Sequence, residues 1–146
     1  MLKINLITVG NLKEDYWKKA VAEYEKRLSR FCKFEIFEVK ESDKAAEAKA
    51  LLQKSAGGFL VALDPFGRQV TSEEFSHFIT SKTAKGVSKI TFFIGGSDGL
   101  DSTVLATCDD KLSFSKMTFP HQMFRVIFTE QLYRAFMIAG GGVYHK

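Results

Sequence analysis

The chain has 146 residues, of which 45% are hydrophobic and 26% are charged. This length fits one domain, residues 1–146, but it is short for an enzyme that encloses both a cofactor and a polymeric substrate, unless two subunits share a site. The formal net charge of +4 is a modest basic excess, which suits an acidic partner without requiring one.

The cysteines and the hydropathy pattern disfavour several classes of protein. Cys32 and Cys108 have no CxxC neighbour and no histidine at a metal-ligand spacing, so we expect two reduced thiols and no metal site. No apolar run reaches membrane-spanning length, and the chain opens directly with a strand. We therefore expect a cytoplasmic protein without a membrane segment.

Strands and helices alternate in the first part of the chain. Residues 3–9 form a predicted strand that ends at Gly10, and residues 15–30 carry apolar side chains at helical spacing. A second strand is predicted over residues 33–39. An alanine-rich helix follows over about residues 43–54.

The alternation continues through the middle of the chain. Residues 59–63 are almost uninterruptedly apolar, which is typical of a strand covered on both faces. Residues 64–67 predict a turn. Thr71 and Glu74 then match a capping box, which begins a helix that ends near Gly86.

The last part of the chain repeats the pattern. Residues 89–94 predict a buried strand, which leads into a glycine turn and a short helix over about residues 104–108. Alternating residues 112–115 predict a strand end, and Pro120 suits the start of a helix over residues 121–138. The class is therefore α/β, with a largely parallel sheet and helices on both faces.

Three predicted turns follow the carboxyl ends of strands, where α/β proteins bind ligands. They come after Leu63, Ile94 and Ser115. Gly95 and Gly96 permit close approach of the backbone, although an ordinary turn explains them equally well. The pattern is neither a Walker A loop nor GxGxxG.

The loop from Phe114 to Phe119 combines a lysine, a methionine and two phenylalanines, a poor composition for a solvated turn. It suits a pocket for an adenine ring, or it is a simple connection.

The last helix is apolar around most of its circumference. Its large apolar side chains are Met123, Phe124, Val126, Ile127, Phe128, Leu132, Phe136 and Ile138. A contact between two subunits explains this pattern, and a helix buried within one subunit is the alternative. Arg125 lies in its polar stripe, where it either holds a phosphate or pairs with a carboxylate.

Histidines at the two ends of this region are candidate site residues. His121 follows Pro120 in the first helical turn, where a histidine commonly has no chemical role. The chain ends in Tyr144-His145-Lys146, which suits stacking on an unstacked base, although chain ends are often poorly ordered.

Several of these segments together resemble one bacterial family, the ribosomal RNA large-subunit methyltransferase H family of the SPOUT class. The resemblance lies in Ile94-Gly95-Gly96-Ser97-Asp98-Gly99-Leu100, the segment 112–121, Arg125, the segment 130–135 and the terminal Tyr144-His145-Lys146. It implies a homodimer with a C-terminal trefoil knot. It further implies S-adenosylmethionine-dependent methylation of N3 of a pseudouridine in a large-subunit loop of 23S ribosomal RNA, within the assembled ribosome.

The resemblance also implies roles for individual residues. Contacts to S-adenosylmethionine are expected from Leu63, Gly95, Phe114, Ser115, Lys116, Met117, Thr118 and Phe119. Arg125 is expected at the active site, and Tyr144 and His145 are expected to contact the substrate. His145 or His121 is the expected proton acceptor. The glycines at 140–142 depart from the family pattern and predict a more mobile tail.

Two other functions remain open on the residues alone. The altered tail is compatible with a ribosome-binding protein that has no catalytic activity. A nucleotide-dependent oxidoreductase or hydrolase is the second alternative, although the chain has neither a phosphate-binding loop nor a nucleophile elbow.

Overall fold

The computed structural model describes residues 1–55 and 57–146, in which strands and helices alternate along the chain. The elements are β1 Lys3–Val9, α1 Asp15–Leu28, β2 Lys33–Val39, α2 Lys44–Lys54, β3 Phe59–Gln69, α3 Ser72–Ala84, β4 Lys89–Ile94, α4 Ser102–Thr107, β5 Asp110–Ser113 and α5 His121–Ala139. The predicted α/β class is confirmed.

The strands form one sheet in the order β2-β1-β4-β3-β5, and every pair of neighbours is parallel. Strand β4 is the central strand and lies between β1 and β3. The chain therefore forms β1, β2 and β3 before it adds the strand that joins β1 to β3. Parallel pairing brings the carboxyl ends of β3, β4 and β5 to one edge.

Helices cover both faces of the sheet, as predicted. On one face, α1, α3 and α5 bury a core with alternate residues of β1 and β4. On the other face, α2 and α4 enclose a smaller core that contains Ile7, Val9 and Phe93. The side chains of each strand alternate between the two cores, which explains the nearly continuous apolar strands.

Strand β3 differs from its prediction. It does not end at Leu63 but continues to Gln69, with a bulge where the sequence predicts a turn. Leu63 and Arg68 both pair with Leu112, so the strand leaves the ladder and rejoins it.

Three other boundaries also shift. Strand β5 ends at Ser113 instead of Ser115, because the Ser113 hydroxyl donates a hydrogen bond to the Ser115 carbonyl at 3.0 Å and turns the chain. Helix α4 begins at Ser102, because the Asp101 side chain caps it by accepting a hydrogen bond from the Thr103 N–H. Helix α1 ends at Leu28 rather than residue 30.

The capping box at the start of α3 is confirmed. The Thr71 hydroxyl accepts from the Glu74 N–H at 3.1 Å, and the Glu74 carboxylate accepts from the Thr71 N–H at 2.9 Å. None of the described helices has both the length and the hydropathy needed to cross a bilayer.

Candidate active site

A cavity of about 910 Å³ opens at the bulge of β3 and the carboxyl ends of β4 and β5. Its wall is formed by residues 63–66, 94–100, 113–115 and 117–121, together with Lys44, Leu105 and Phe124. This volume lies within the range of small-molecule binding sites. The three strand-end turns that the sequence predicts therefore meet at one cavity.

The bulge in β3 forms one side of the cavity. The Asp64 carboxylate accepts a hydrogen bond from the Phe66 N–H at 3.2 Å, which closes a local turn. A side chain on Gly67 would place its Cβ 2.8 Å from the carbonyl carbon of Lys111, so glycine is required for the close approach to β5. Behind the bulge, Arg68 and Asp110 form an ion pair at 2.8 Å.

The glycine turn after β4 forms a second part of the cavity wall. The Gly96 carbonyl accepts from the Gly99 N–H at 3.0 Å, and Gly99 has a φ of +78°, which favours glycine. A Cβ on Gly95 would lie 2.6 Å from the carbonyl carbon of Gly99. The close approach predicted at Gly95 is thus made by the chain's own backbone, which shapes this part of the wall.

The loop between β5 and α5 forms a third part of the cavity wall. The Ser115 hydroxyl accepts a hydrogen bond from the Met117 N–H at 2.9 Å. The ring of Phe114 packs against Phe75 and Phe128, with centroid distances of 5.0 Å and 6.0 Å. These contacts hold the loop on the aromatic core beneath it.

Most of the residues expected to contact the methyl donor lie on the cavity wall. They are Leu63, Gly95, Phe114, Ser115, Met117, Thr118 and Phe119. Lys116 is exposed and does not line the cavity.

Among the four residues expected to act in catalysis, only His121 lines this cavity. It is half-buried in the first turn of α5, and its Nε2 lies 3.8 Å from Glu41 Oε1. Glu41 comes from the loop after β2, so this loop forms a polar border beside the cavity.

Arg125 is buried in the core, with 1% of its surface exposed. Its Nη1 donates to Glu38 Oε2 at 2.5 Å and its Nη2 donates to the Gly10 carbonyl at 3.0 Å. Arg125 therefore ties α5 to the ends of β1 and β2. The sequence leaves two alternatives for Arg125, a phosphate contact and an ion pair with a carboxylate. In the subunit, Arg125 forms the ion pair, with Glu38.

The C-terminal tail packs on its own subunit, away from the cavity wall. The Tyr144 hydroxyl donates to Glu130 at 2.6 Å, and burial together with this carboxylate raises the pKa of Tyr144. His145 lies between Arg134 Nη1, at 3.0 Å, and Glu73 Oε1, at 2.6 Å. The hydrogen bond from His145 lowers the pKa of Glu73.

Lys44 and Phe66 are two of the wall residues that sequence reasoning missed. Lys44 reaches the cavity from the first position of α2. Phe66 lies in the segment that the sequence predicts as an ordinary turn. An aromatic residue inside a polar turn was the available signal for Phe66, whereas nothing in the sequence distinguishes Lys44 from the neighbouring lysines.

No set of three His, Cys, Asp or Glu side chains in the described part of the chain is arranged to hold a metal ion. The cavity wall instead combines apolar strand ends with serine, threonine, aspartate and histidine side chains. Such a wall suits an organic ligand that has both a flat apolar part and polar substituents.

Comparison with known proteins identifies the class. A family model described as "Predicted SPOUT methyltransferase" matches residues 2–145. The chain therefore belongs to the SPOUT methyltransferase family.

Similar proteins with assigned names point to one group within this family. A protein from Clostridium tetani named ribosomal RNA large subunit methyltransferase H is 49% identical, and the match covers 99% of this chain and 100% of that protein. A protein of the same name from Streptococcus pyogenes is 46% identical over the same shares. The resemblance seen in the sequence is thereby confirmed.

Solved structures support the fold. A probable methylase family protein from Haemophilus influenzae has a TM-score of 0.59 at 15% identity, and the match covers 100% of this chain and 72% of that chain. The SpoU methyltransferase AviRb from Streptomyces viridochromogenes, solved with AdoMet, has a TM-score of 0.52 at 11% identity, with coverage of 96% and 59%.

Proposed function

We propose that this protein transfers a methyl group from S-adenosylmethionine to N3 of a pseudouridine in 23S ribosomal RNA. The observation that carries the proposal is the cavity at the bulge of β3 and the ends of β4 and β5, in a chain with relatives named ribosomal RNA large subunit methyltransferase H. The substrate is the large-subunit RNA of the assembled ribosome, and the reaction takes place in the cytoplasm.

The cavity fits the methyl donor by size and by chemistry. Leu63, Gly95 and the loop from Phe114 to Phe119 hold it, with apolar groups for the adenine ring and hydroxyls for the polar substituents. Lys116, which lies off the wall, acts on the donor only through the position of this loop. When bound, S-adenosylmethionine supplies an electrophilic methyl group on a sulfonium.

The new N–C bond would form as the methyl–sulfur bond of the donor breaks and leaves a neutral thioether, and the acceptor nitrogen must lose its proton. His121 is the proposed proton acceptor, because its imidazole is on the wall of the cavity. A positioned base contributes roughly 10²- to 10⁴-fold to such a rate. Correct positioning of the two reactants contributes roughly 7–11 kcal/mol.

The other residues expected in catalysis act less directly in this proposal. Arg125 positions the start of α5 through Glu38 and Gly10. Tyr144 and His145 lie off the cavity of their own subunit, so they serve as substrate contacts only in the site of a partner subunit.

A homodimer is part of the proposal. Met123, Val126, Ile127 and Ile138 on α5 are half-exposed and lie outside both cores of the subunit. Pairing of this face with a second copy would bury these side chains and bring a second tail near each cavity. A C-terminal trefoil knot, as the family implies, completes the proposed architecture.

Transfer of a radiolabelled methyl group from S-adenosylmethionine to 70S ribosomes tests the activity. We expect label in the large-subunit RNA, and we expect a His121→Ala variant to lose about 10²-fold or more in single-turnover rate. Unlabelled ribosomes after incubation with protein that binds them would show a ribosome-binding protein without catalysis.

A further inference from the structure

Phe66 is the most exposed large apolar side chain among the described residues, with 96% of its surface accessible, and it lines the cavity. A single exposed apolar residue on a protein surface needs no special explanation. The position of Phe66 on the rim of a ligand cavity does need an explanation.

The bulge that carries Phe66 is held by several backbone contacts. The bulge is anchored on both sides, because Leu63 and Arg68 both pair with Leu112. The Phe66 N–H is bound to the Asp64 carboxylate, and Gly67 is pressed against the backbone of Lys111. These contacts set the backbone position of Phe66 at the rim of the cavity, where its ring is exposed to solvent.

The surroundings of Phe66 do not form a broad apolar surface. Asp64 and Arg68, two residues to either side, are charged, and the other exposed large apolar side chain of the wall, Met117, belongs to the loop after β5. The continuous half-exposed apolar surface of the subunit lies on α5 instead. Phe66 is therefore suited to a small flat partner rather than to a second copy of the chain.

We propose that Phe66 stacks on an unpaired nucleobase of the RNA substrate at the mouth of the cavity. This inference rests on the proposed function, because it requires RNA to reach the methyl donor. Aromatic rings are the usual platforms for unstacked bases in single-stranded loops. The exposed cations of Lys44 on the wall and Lys116 in the loop after β5 are suited to the adjoining phosphates.

The test is a series of variants assayed for methyl transfer to ribosomes. Phe66→Ala is expected to raise the KM for ribosomes about tenfold to a hundredfold, while Phe66→Trp retains it within about threefold. Phe66→Leu, which is apolar but not flat, should behave like Phe66→Ala. Tyr16→Ala is the matched control, because Tyr16 is an aromatic residue that is 61% exposed and lies off the wall.

Two further measurements separate stacking from other roles. The affinity for S-adenosylmethionine, measured by calorimetry, and the sedimentation coefficient should be unchanged in all Phe66 variants. An unchanged KM in Phe66→Ala would overturn the inference, as would full activity of Phe66→Leu, loss of donor affinity or dissociation of subunits. An inactive wild-type protein would instead refute the proposed function, so the two failures are distinguishable.

Discussion

Arg125 shows how the environment of one residue decides between two roles that its sequence position leaves open. The sequence places it in the polar stripe of an otherwise apolar helix, which fits either phosphate binding or ion pairing. In the structure it is enclosed by the ends of β1 and β2 and bound to Glu38 and Gly10. Its first effect is therefore on stability and on the placement of α5.

Replacement of Arg125 by methionine should lower the free energy of unfolding by about 2–3 kcal/mol, because two hydrogen bonds from a charged donor are lost in the core. Glu38→Gln is the matched control. It keeps an acceptor oxygen for the guanidinium and should cost about 1 kcal/mol. Urea denaturation measures both values. Equal stability of Arg125→Met and the wild type would contradict the anchoring role.

The two thiols provide a second test at the scale of residues. Burial raises the pKa of Cys32 to about 12 and that of Cys108 to about 11. At pH 8 both thiols should therefore resist a disulfide reagent in the folded protein and react in urea. Rapid labelling of both thiols in the native state would show that they are not buried in this way.

The same pKa shifts predict how the stability of the protein changes with pH. Unfolding returns both thiols to an ordinary pKa of about 8.5, so the unfolded chain releases these protons first as the pH rises. Their contribution to stability is present below about pH 8.5 and declines as the pH rises toward the folded values of about 11 and about 12. A Cys32→Ala, Cys108→Ala protein should lack this part of the alkaline decline.

At the scale of elements, the turn after β4 contains two glycines that are needed for different reasons. A side chain on Gly95 would clash with the backbone, whereas Gly99 has a positive φ. Gly95→Ala places a Cβ 2.6 Å from the backbone of Gly99, so the turn must move. We expect it to weaken S-adenosylmethionine binding at least tenfold. Gly99→Ala has open space at its Cβ and should cost only the roughly 1–2 kcal/mol of its positive φ.

Calorimetric titration with S-adenosylmethionine and urea denaturation measure these two effects separately. Tight donor binding by Gly95→Ala would contradict the assignment of this turn to the donor site. A larger loss of binding in Gly99→Ala than in Gly95→Ala would contradict the steric explanation.

Most elements could be predicted because local signals agreed with their tertiary environment. The capping box at Thr71 and the apolar strands β1 and β4 are examples. The extension of β3 could not be predicted, because Asp64 to Gly67 are turn residues in any local reading. Only the pairing of Leu63 and Arg68 with the same residue of β5 turns this segment into a bulge.

At the scale of the whole molecule, the sequence predicts which loops meet but not which side chains reach their common space. Parallel strands bring their carboxyl ends together, so the three turns of the cavity follow from the alternation of elements. The positions of Arg125, Tyr144 and His145 depend on contacts between distant segments, such as His145 with Glu73. No pattern within one segment contains that information.

Under the proposed function, the distribution of these residues leaves the site of one subunit incomplete. The cavity supplies donor-binding loops and His121, while the tail with Tyr144 and His145 is attached to α5 and α3 of the same chain. The half-exposed apolar face of α5 is available for a second copy. In the proposed function, one subunit alone binds the methyl donor, whereas two subunits together bind the RNA substrate.

Mass spectrometry of ribosomal RNA tests the central claim most directly. Ribosomes lacking the modification are incubated with the pure protein and S-adenosylmethionine, and the large-subunit RNA is then digested and analysed. The proposed function predicts one added methyl group on one pseudouridine of 23S RNA, and slower addition with the Gly95→Ala variant at a limiting donor concentration. An unchanged RNA after treatment with wild-type protein that binds S-adenosylmethionine would contradict it.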